Sequence, residues 1–406
     1  MMQLGTIPII VEEKYLEPGG AAFLLTSPPR KDTTFHLEGG EIESRSGQPY
    51  AVARFPHALN DVTAFSVGHN LAQQGLDLMS ILGMADLAIK DAEDEHLIWW
   101  TEEAGPALRV VSTLVLRFSV GPVTLGVTNA EGKAVPASTP YPRHHVAFRF
   151  FRLAQTTDDL FDAYRNMYLA FEALLSSRYP KPAKEKEWDW LCRALSGASP
   201  DLKLDGLRFK PEGDLVGAIL EVIYKDARLP LFHAKEGLTY FPPHNSPGDR
   251  EAVSRALALI TQIVIRMAAT WFDAPRAGGG VFFGWVYETL RKSLANPCAY
   301  ASSYDGPLAF PEKDLSHSRF QTAAPLHSRL APEYQRGKAP AVLSVASGTE
   351  LAQVKPLRCI DLVSAGAPKI AHQLEAPLDL DGISRFEALM HIRGENENQP
   401  RSLYRR

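Results

Sequence analysis

The sequence predicts an α+β multidomain chain. A central up-down four-helix bundle (151–275) is flanked by an N-terminal α/β domain (1–150) and a C-terminal β-rich or α+β region (276–406). Three observations carry this. The chain has 406 residues, long for one hydrophobic core. Apolar residues recur at steps of three and four through the middle third. On either side, short β-branched runs alternate with glycine and polar punctuation.

In the N-terminal region, Ile9–Val11 and Ala21–Leu25 read as short strands, with Gly39-Gly40 and Ser46-Gly47 as punctuation. Ala64, Val67, Leu71, Leu78 and Leu82 mark one face of a helix of about twenty residues that Gly83 ends. His96–Thr101 and the β-branched run Leu108–Val120 read as strands. Neighbours in a strand point to opposite faces, so Trp99 and Trp100 read as packing residues rather than as one sugar or base platform. Pro136 to Pro142 reads as a linker.

The middle third changes character. Leu160, Tyr164, Met167, Phe171 and Leu174 step by four and three, behind a capping pair at Thr156 and Asp159, and Pro180 and Pro182 end that helix. Trp188, Leu191, Cys192 and Leu195 define a shorter helix closed by Gly197. Leu215, Ile219, Val222 and Ile223 define a third, which leads into Tyr224 and Arg228. Ser246-Pro247 opens a fourth. In it Val253, Leu257, Ile260, Val264, Met267 and Trp271 form a heptad-like seam, suited to intramolecular packing or to a dimer interface.

Beyond residue 275 the pattern is weaker. Gly278-Gly279-Gly280 reads as a hinge. Phe283–Leu294 reads as strand then helix, Ala341–Val345 and Arg358–Val363 as strands, and Ile383–Met390 as a short helix. No transmembrane span is expected, because the longest apolar run, Ala256–Ile265, is short and broken by Thr261 and Gln262. The N-terminus carries no signal-peptide pattern. Three scattered cysteines, Cys192, Cys298 and Cys359, suit a reducing compartment, so a cytoplasmic location is expected. A net charge of -4 leaves nucleic-acid contact to a local patch.

The residues most suggestive of chemistry are Arg228 and His233, a fixed cation and a near-neutral acid/base with four residues between them. Pro230 stands between them, and a proline there argues against one continuous helix through both. The plain reading is a cation near a helix C-terminus and a capping or partly buried histidine. His144-His145 has no Cys, His or carboxylate partner at metal-ligand spacing, so no metal and no cofactor is expected. The Gly278–Gly280 run lacks the lysine and hydroxyl of a phosphate loop, and Ser347-Gly348 and Ser364-Ala365-Gly366 lack the pattern of a nucleophile elbow.

Two stretches carry a family resemblance. They are Tyr168 to Leu175, and Ile223-Tyr224-Lys225-Asp226-Ala227-Arg228-Leu229-Pro230-Leu231-Phe232-His233-Ala234-Lys235-Glu236-Gly237. About 120 residues around them resemble the HEPN superfamily of nucleotide-binding helical bundles. The likeness is to its Apea-like branch and to the methylamine-utilisation J-type proteins. The superfamily's arginine, four to six residues, then histidine falls on Arg228 and His233, and its preceding aromatic falls on Tyr224. The position after the arginine, polar in members that cut RNA, is Leu229 here.

The resemblance implies RNA binding, metal-independent endoribonuclease activity in a homodimer formed through the bundle, and a setting in stress or defence. Arg228 and His233 would be its catalytic pair, with Tyr224, Lys225 and Lys235 binding substrate and Arg250 near the groove. The chemistry suits such residues, because histidine moves protons near neutrality and arginine presents a planar fork to phosphate oxygens. The alternative is a non-catalytic scaffold or sensor, in which the bundle dimerises and the flanking regions bind a ligand or partner protein.

Overall fold

A computed structural model describes residues 2–10, 19–56, 58, 60–90, 92–118, 141–157, 159–207, 209–232, 247–274, 280–303, 323–336, 339–363 and 370–396. It divides into two compact units. One joins Met1–Phe118 to Gly279–Asn396, and the other comprises Ser119–Gly278 with Glu397–Arg406.

The first unit is built on one 14-stranded sheet. Its N-terminal strands are β1 (Gln3–Leu4), β2 (Ile7–Pro8), β3 (Gly19–Leu24), β4 (Thr33–Leu37), β5 (Gly40–Ser44), β6 (Tyr50–Phe55), β7 (Glu95–Glu102) and β8 (Gly105–Phe118). The C-terminal strands are β9 (Cys298–Ser302), β10 (Ala324–Leu330), β11 (Ala341–Ser347), β12 (Leu357–Val363), β13 (Ile370–Asp379) and β14 (Arg385–Asn396). The order is β2-β1-β13-β12-β9-β10-β11-β14-β8-β7-β3-β6-β5-β4. This order overturns the expected central four-helix bundle with two separate flanking domains. Strands from both ends of the chain share one sheet, and β1 pairs with β13. The long β8–β14 ladder is parallel, from Arg385↔Ala107 to Asn396↔Phe118.

Side-chain alternation explains the central strands. Phe386, Ala388, Met390 and Ile392 enter one core with Leu108, Val110 and Leu114, while Leu389 and Val111 pack on the opposite face. The expected helix at Ile383–Met390 is therefore wrong. The spacing of Ile383, Phe386 and Met390 imitates a helix, but Phe386, Ala388, Met390 and Ile392 repeat at the two-residue period of a strand.

Helix α1 (Asp61–Ile81) covers one face of the sheet. The Asn60 side chain caps it by accepting the Thr63 N–H at 2.9 Å, and Gly83, at φ +66°, follows its end. Its inner stripe includes Gly68 and Gly75. A Cβ on Gly68 would stand 2.5 Å from the Ala21 Cβ, so glycine there permits the close approach of helix and strand. Leu82, placed on the inner face by spacing, is exposed. Helix α8 (Gly280–Ser293) continues as helix where a strand was expected to begin. It turns Val286 and Leu290 into the sheet core, and Leu294 just beyond its end joins them.

The second unit is helical. Its helices are α2 (Ala147–Thr156), α3 (Leu160–Arg178), α4 (Glu187–Leu202), α5 (Leu215–Leu220), α6 (Leu229–Phe232) and α7 (Pro247–Phe272). Between α5 and α6 the backbone runs without a break as a π-helical segment, Glu221–Arg228. Asp159 caps α3 by accepting the Asp162 N–H at 2.7 Å, whereas Thr156 belongs to the end of α2.

The predicted seam of α7 is intramolecular core. Val253, Leu257, Ile260 and Met267 are fully buried with Phe161, Tyr164 and Phe171 of α3. It is therefore not a free surface for a dimer. From Asp249 to Phe272 α7 is long and apolar enough to cross a membrane, contrary to the expectation from its shorter unbroken run. Core packing accounts for that apolar content.

Candidate functional site

The π-helical segment positions the residues singled out by sequence. Pro230 has no N–H with which to close an α-type bond to the Asp226 carbonyl, so the helix loses a bond there and widens. The Leu229 N–H instead donates to the Tyr224 carbonyl five residues back. The Tyr164 hydroxyl of α3 donates to the Ile223 carbonyl, tying the widened turn to the core. Pro230 therefore does not break the helix between Arg228 and Phe232, contrary to the sequence reading. His233 and Lys235 lie outside the described residues.

Four residues apart along this segment, Tyr224, Arg228 and Phe232 share one side. The Arg228 guanidinium carbon is 5.3 Å from the Tyr224 ring centroid, 5.2 Å from that of Phe232 and 5.8 Å from that of Tyr168 on α3. The Tyr168 and Phe232 rings are 5.9 Å apart. At the other end the Trp188 ring of α4 lies 5.7 Å from Tyr224, and the Lys225 ammonium is 4.7 Å from the Trp188 centroid. The result is a row of cations and rings running Lys225, Trp188, Tyr224, Arg228 and Phe232. Such cation–π contacts contribute about 0.5–1 kcal/mol each at exposed positions.

Carboxylates close the site from the α4 side. Glu187, the first residue of α4, accepts a hydrogen bond from Arg228 Nη2 through Oε2 at 3.4 Å, and its Oε1 forms an ion pair with the same nitrogen at 3.2 Å. The Tyr168 hydroxyl donates to Glu187 Oε1 at 3.5 Å. The Arg228 side chain is 17% exposed. Glu172 of α3 lies within the same field. Burial and the neighbouring charge of Glu187 raise its pKa, against the opposing pull of Arg228. Burial likewise holds the Tyr164, Tyr168 and Tyr224 hydroxyls above the ordinary phenol range, so they stay protonated donors.

Tyr224, Lys225 and Arg228 thus come together in this row. Lys225 also pairs with Glu221 one turn away at 2.9 Å. Arg250, expected near the groove, is buried in the first turns of α7. Trp188, Glu187, Phe232 and Tyr168 were not singled out as site residues. Tyr168 stood in the stretch that carried the resemblance, and Phe232 within the Arg-to-His interval. No local pattern marked Glu187, which reaches Arg228 across 41 residues of chain.

Residues 147–269 match the family model of the methylamine utilization protein MauJ. The MauJ-like segment therefore contains α2 through most of α7 and every residue of the row. No curated protein and no solved structure matches the chain. The MauJ-like match lies within the helical unit.

Among the described residues no group of three or more His, Cys, Asp or Glu could hold a metal ion. His145 Nδ1 accepts the Ala147 N–H at 3.1 Å at the start of α2, and its ring packs 4.9 Å from Phe272. Trp99 and Trp100 point into different cores.

Proposed function

We propose that the MauJ-like helical unit is a HEPN-type module that recognises RNA through the row from Lys225 to Phe232. The observation that supports this reading most is the alternation of cations with rings along that row. Unpaired bases stack on aromatic faces and guanidinium planes, while Lys and Arg contact the phosphates between them. Arg228 has the central place, because its planar fork can serve a phosphate while its face rests on rings. Endoribonuclease cleavage is the stronger form of this reading. It needs His233 to move the proton of a 2′-hydroxyl and Arg228 to stabilise the crowded phosphate charge. A homodimer would supply a second histidine, through a surface other than the α7 seam. A role in stress or defence belongs to the same reading and rests on the family resemblance.

A second reading is favoured by the Glu187 contact. An arginine already paired and largely covered also suits a non-catalytic scaffold, in which Arg228 joins α4 to the π-helical segment and the sheet unit binds the ligand or partner protein.

The experiment is direct. Fluorescent single-stranded RNA is titrated with wild type, Arg228→Ala and His233→Ala in the absence of divalent metal, and the products are resolved on gels. We expect wild type to bind, and Arg228→Ala to bind at least about tenfold more weakly, or about 1.4 kcal/mol. Products with 2′,3′-cyclic ends from wild type alone establish cleavage. A folded wild type that neither binds nor cuts RNA leaves the scaffold reading in place.

A further inference from the structure

We propose that Glu187 is a built-in competitor for RNA phosphate, a carboxylate latch that occupies the guanidinium of Arg228 until a phosphate displaces it. The inference rests on the RNA-recognition reading above and adds a regulatory device to that site.

The geometry carries it. The Glu187 carboxylate takes up the donors that a phosphate oxygen would use, with Arg228 Nη2 at 3.2 Å and the Tyr168 hydroxyl at 3.5 Å. It stands at the first residue of α4, where unpaired backbone N–H groups favour negative charge. Neither partner is sealed in the core, since Glu187 is 28% exposed and Arg228 17%. A pair at that depth exchanges partners at modest cost, unlike a fully buried one. Arg228 stays on its ring platform whichever anion holds it, because Tyr224 and Phe232, on the same helical run as Arg228, pack against the guanidinium at 5.3 and 5.2 Å.

A single guanidinium here faces two carboxylates. Glu172 shares the field of Glu187 and Arg228, and its pKa is raised by burial and by Glu187. An approaching phosphate meets the Glu187 carboxylate on Arg228 until Glu187 swings away. The latch therefore weakens binding of any one phosphate and favours ligands that engage the rest of the row together. Lys225 and the rings of Trp188, Tyr224 and Phe232 supply that additional binding, so a strand spanning several nucleotides opens the latch more readily than a mononucleotide.

The test measures RNA affinity of the full chain by fluorescence anisotropy with a labelled single-stranded oligonucleotide. Glu187→Gln removes the competing charge at constant size. Glu185→Gln, two residues away, removes the same charge from an exposed pair with Arg193 and serves as the control. We expect Glu187→Gln to bind about five- to tenfold tighter than wild type, as release of a partly exposed ion pair allows. We expect Glu185→Gln to match wild type, and the effect of Glu187→Gln to vanish in an Arg228→Ala background. Where Glu187→Gln lowers the melting temperature, Glu187→Asp shortens the side chain without changing charge, and it too is expected to tighten binding. Equal or weaker binding by both Glu187 variants, or equal tightening by Glu185→Gln, overturns the latch while leaving RNA recognition intact. Absence of binding by wild type and every variant overturns RNA recognition, and the latch with it.

Discussion

Arg109 and Glu387 are register partners on the parallel strands β8 and β14, and Arg109 Nε donates to Glu387 Oε2 at 2.6 Å. The Glu387 side chain is fully buried. The same guanidinium bonds to Asp61 at the start of α1, donates to the Tyr334 hydroxyl at 3.2 Å and lies 5.3 Å from the Trp100 ring centroid. One arginine thus ties an N-terminal strand, a C-terminal strand and the helix that covers them. Glu387→Ala leaves this cation facing a cavity and should destabilise the fold by about 3–5 kcal/mol in urea unfolding. Joint replacement by Arg109→Met and Glu387→Leu should recover part of that loss, because the buried Arg109–Glu387 pair is gone while Asp61 and Arg385 each lose a partner.

Arg266 of α7 closes the end of α4. Its guanidinium donates to the carbonyls of Leu202 at 2.9 Å and Gly206 at 2.8 Å, and also to that of Lys203, whose backbone is left-handed at φ 49°. These carbonyls lie where a helix end leaves acceptors without intrahelical donors. Arg266→Ala should cost about 2–3 kcal/mol, measured by thermal unfolding. Arg266→Lys should recover only part, since an ammonium cannot reproduce the planar fork.

Acid should weaken the sheet unit through three histidines, one of which, His96, burial holds well below the usual imidazole range. Burial lowers the pKa of His372 to about 4, and burial with the charge of Arg336, opposed by Asp94, lowers that of His391 to about 4. The unfolded chain takes up protons at these residues below pH about 6.5, whereas the folded chain resists until pH nears 4. Stability should be fully present above pH 6.5 and fall as pH drops towards 4, by up to about 1.4 kcal/mol per pH unit for each histidine. His391→Leu should make the slope of unfolding free energy against pH shallower by about one proton. An unchanged slope would show that His391 does not contribute.

Local periodicity made much of the helical unit legible. The four-and-three spacing from Leu160 to Leu174 is α3, and the seam from Val253 to Trp271 is the buried face of α7. The single sheet was not legible, because what unites the two chain ends is a parallel ladder between strands more than two hundred residues apart. Nothing local in Phe386–Ile392 announces its partner. The π-helical segment was hidden for another reason. Pro230 was read as a helix break, but a wider turn accommodates it and keeps Tyr224, Arg228 and Phe232 on one side. Within the candidate site, Tyr224, Lys225 and Arg228 could be named from sequence, and Phe232 only as part of the Arg-to-His interval. Those brought from α3 and α4, Tyr168, Glu187 and Trp188, depend on tertiary packing and could not.

The most direct measurement of RNA recognition by this row is photochemical. Single-stranded RNA containing uridine is mixed with the full-length protein and irradiated, and nucleotide adducts on tryptic peptides are mapped by mass spectrometry. We expect adducts on peptides that carry Trp188, Tyr224 or Phe232, and their loss in Arg228→Ala at the same RNA concentration. Adducts confined to the sheet unit, or none from a folded protein, would contradict RNA recognition by the helical unit.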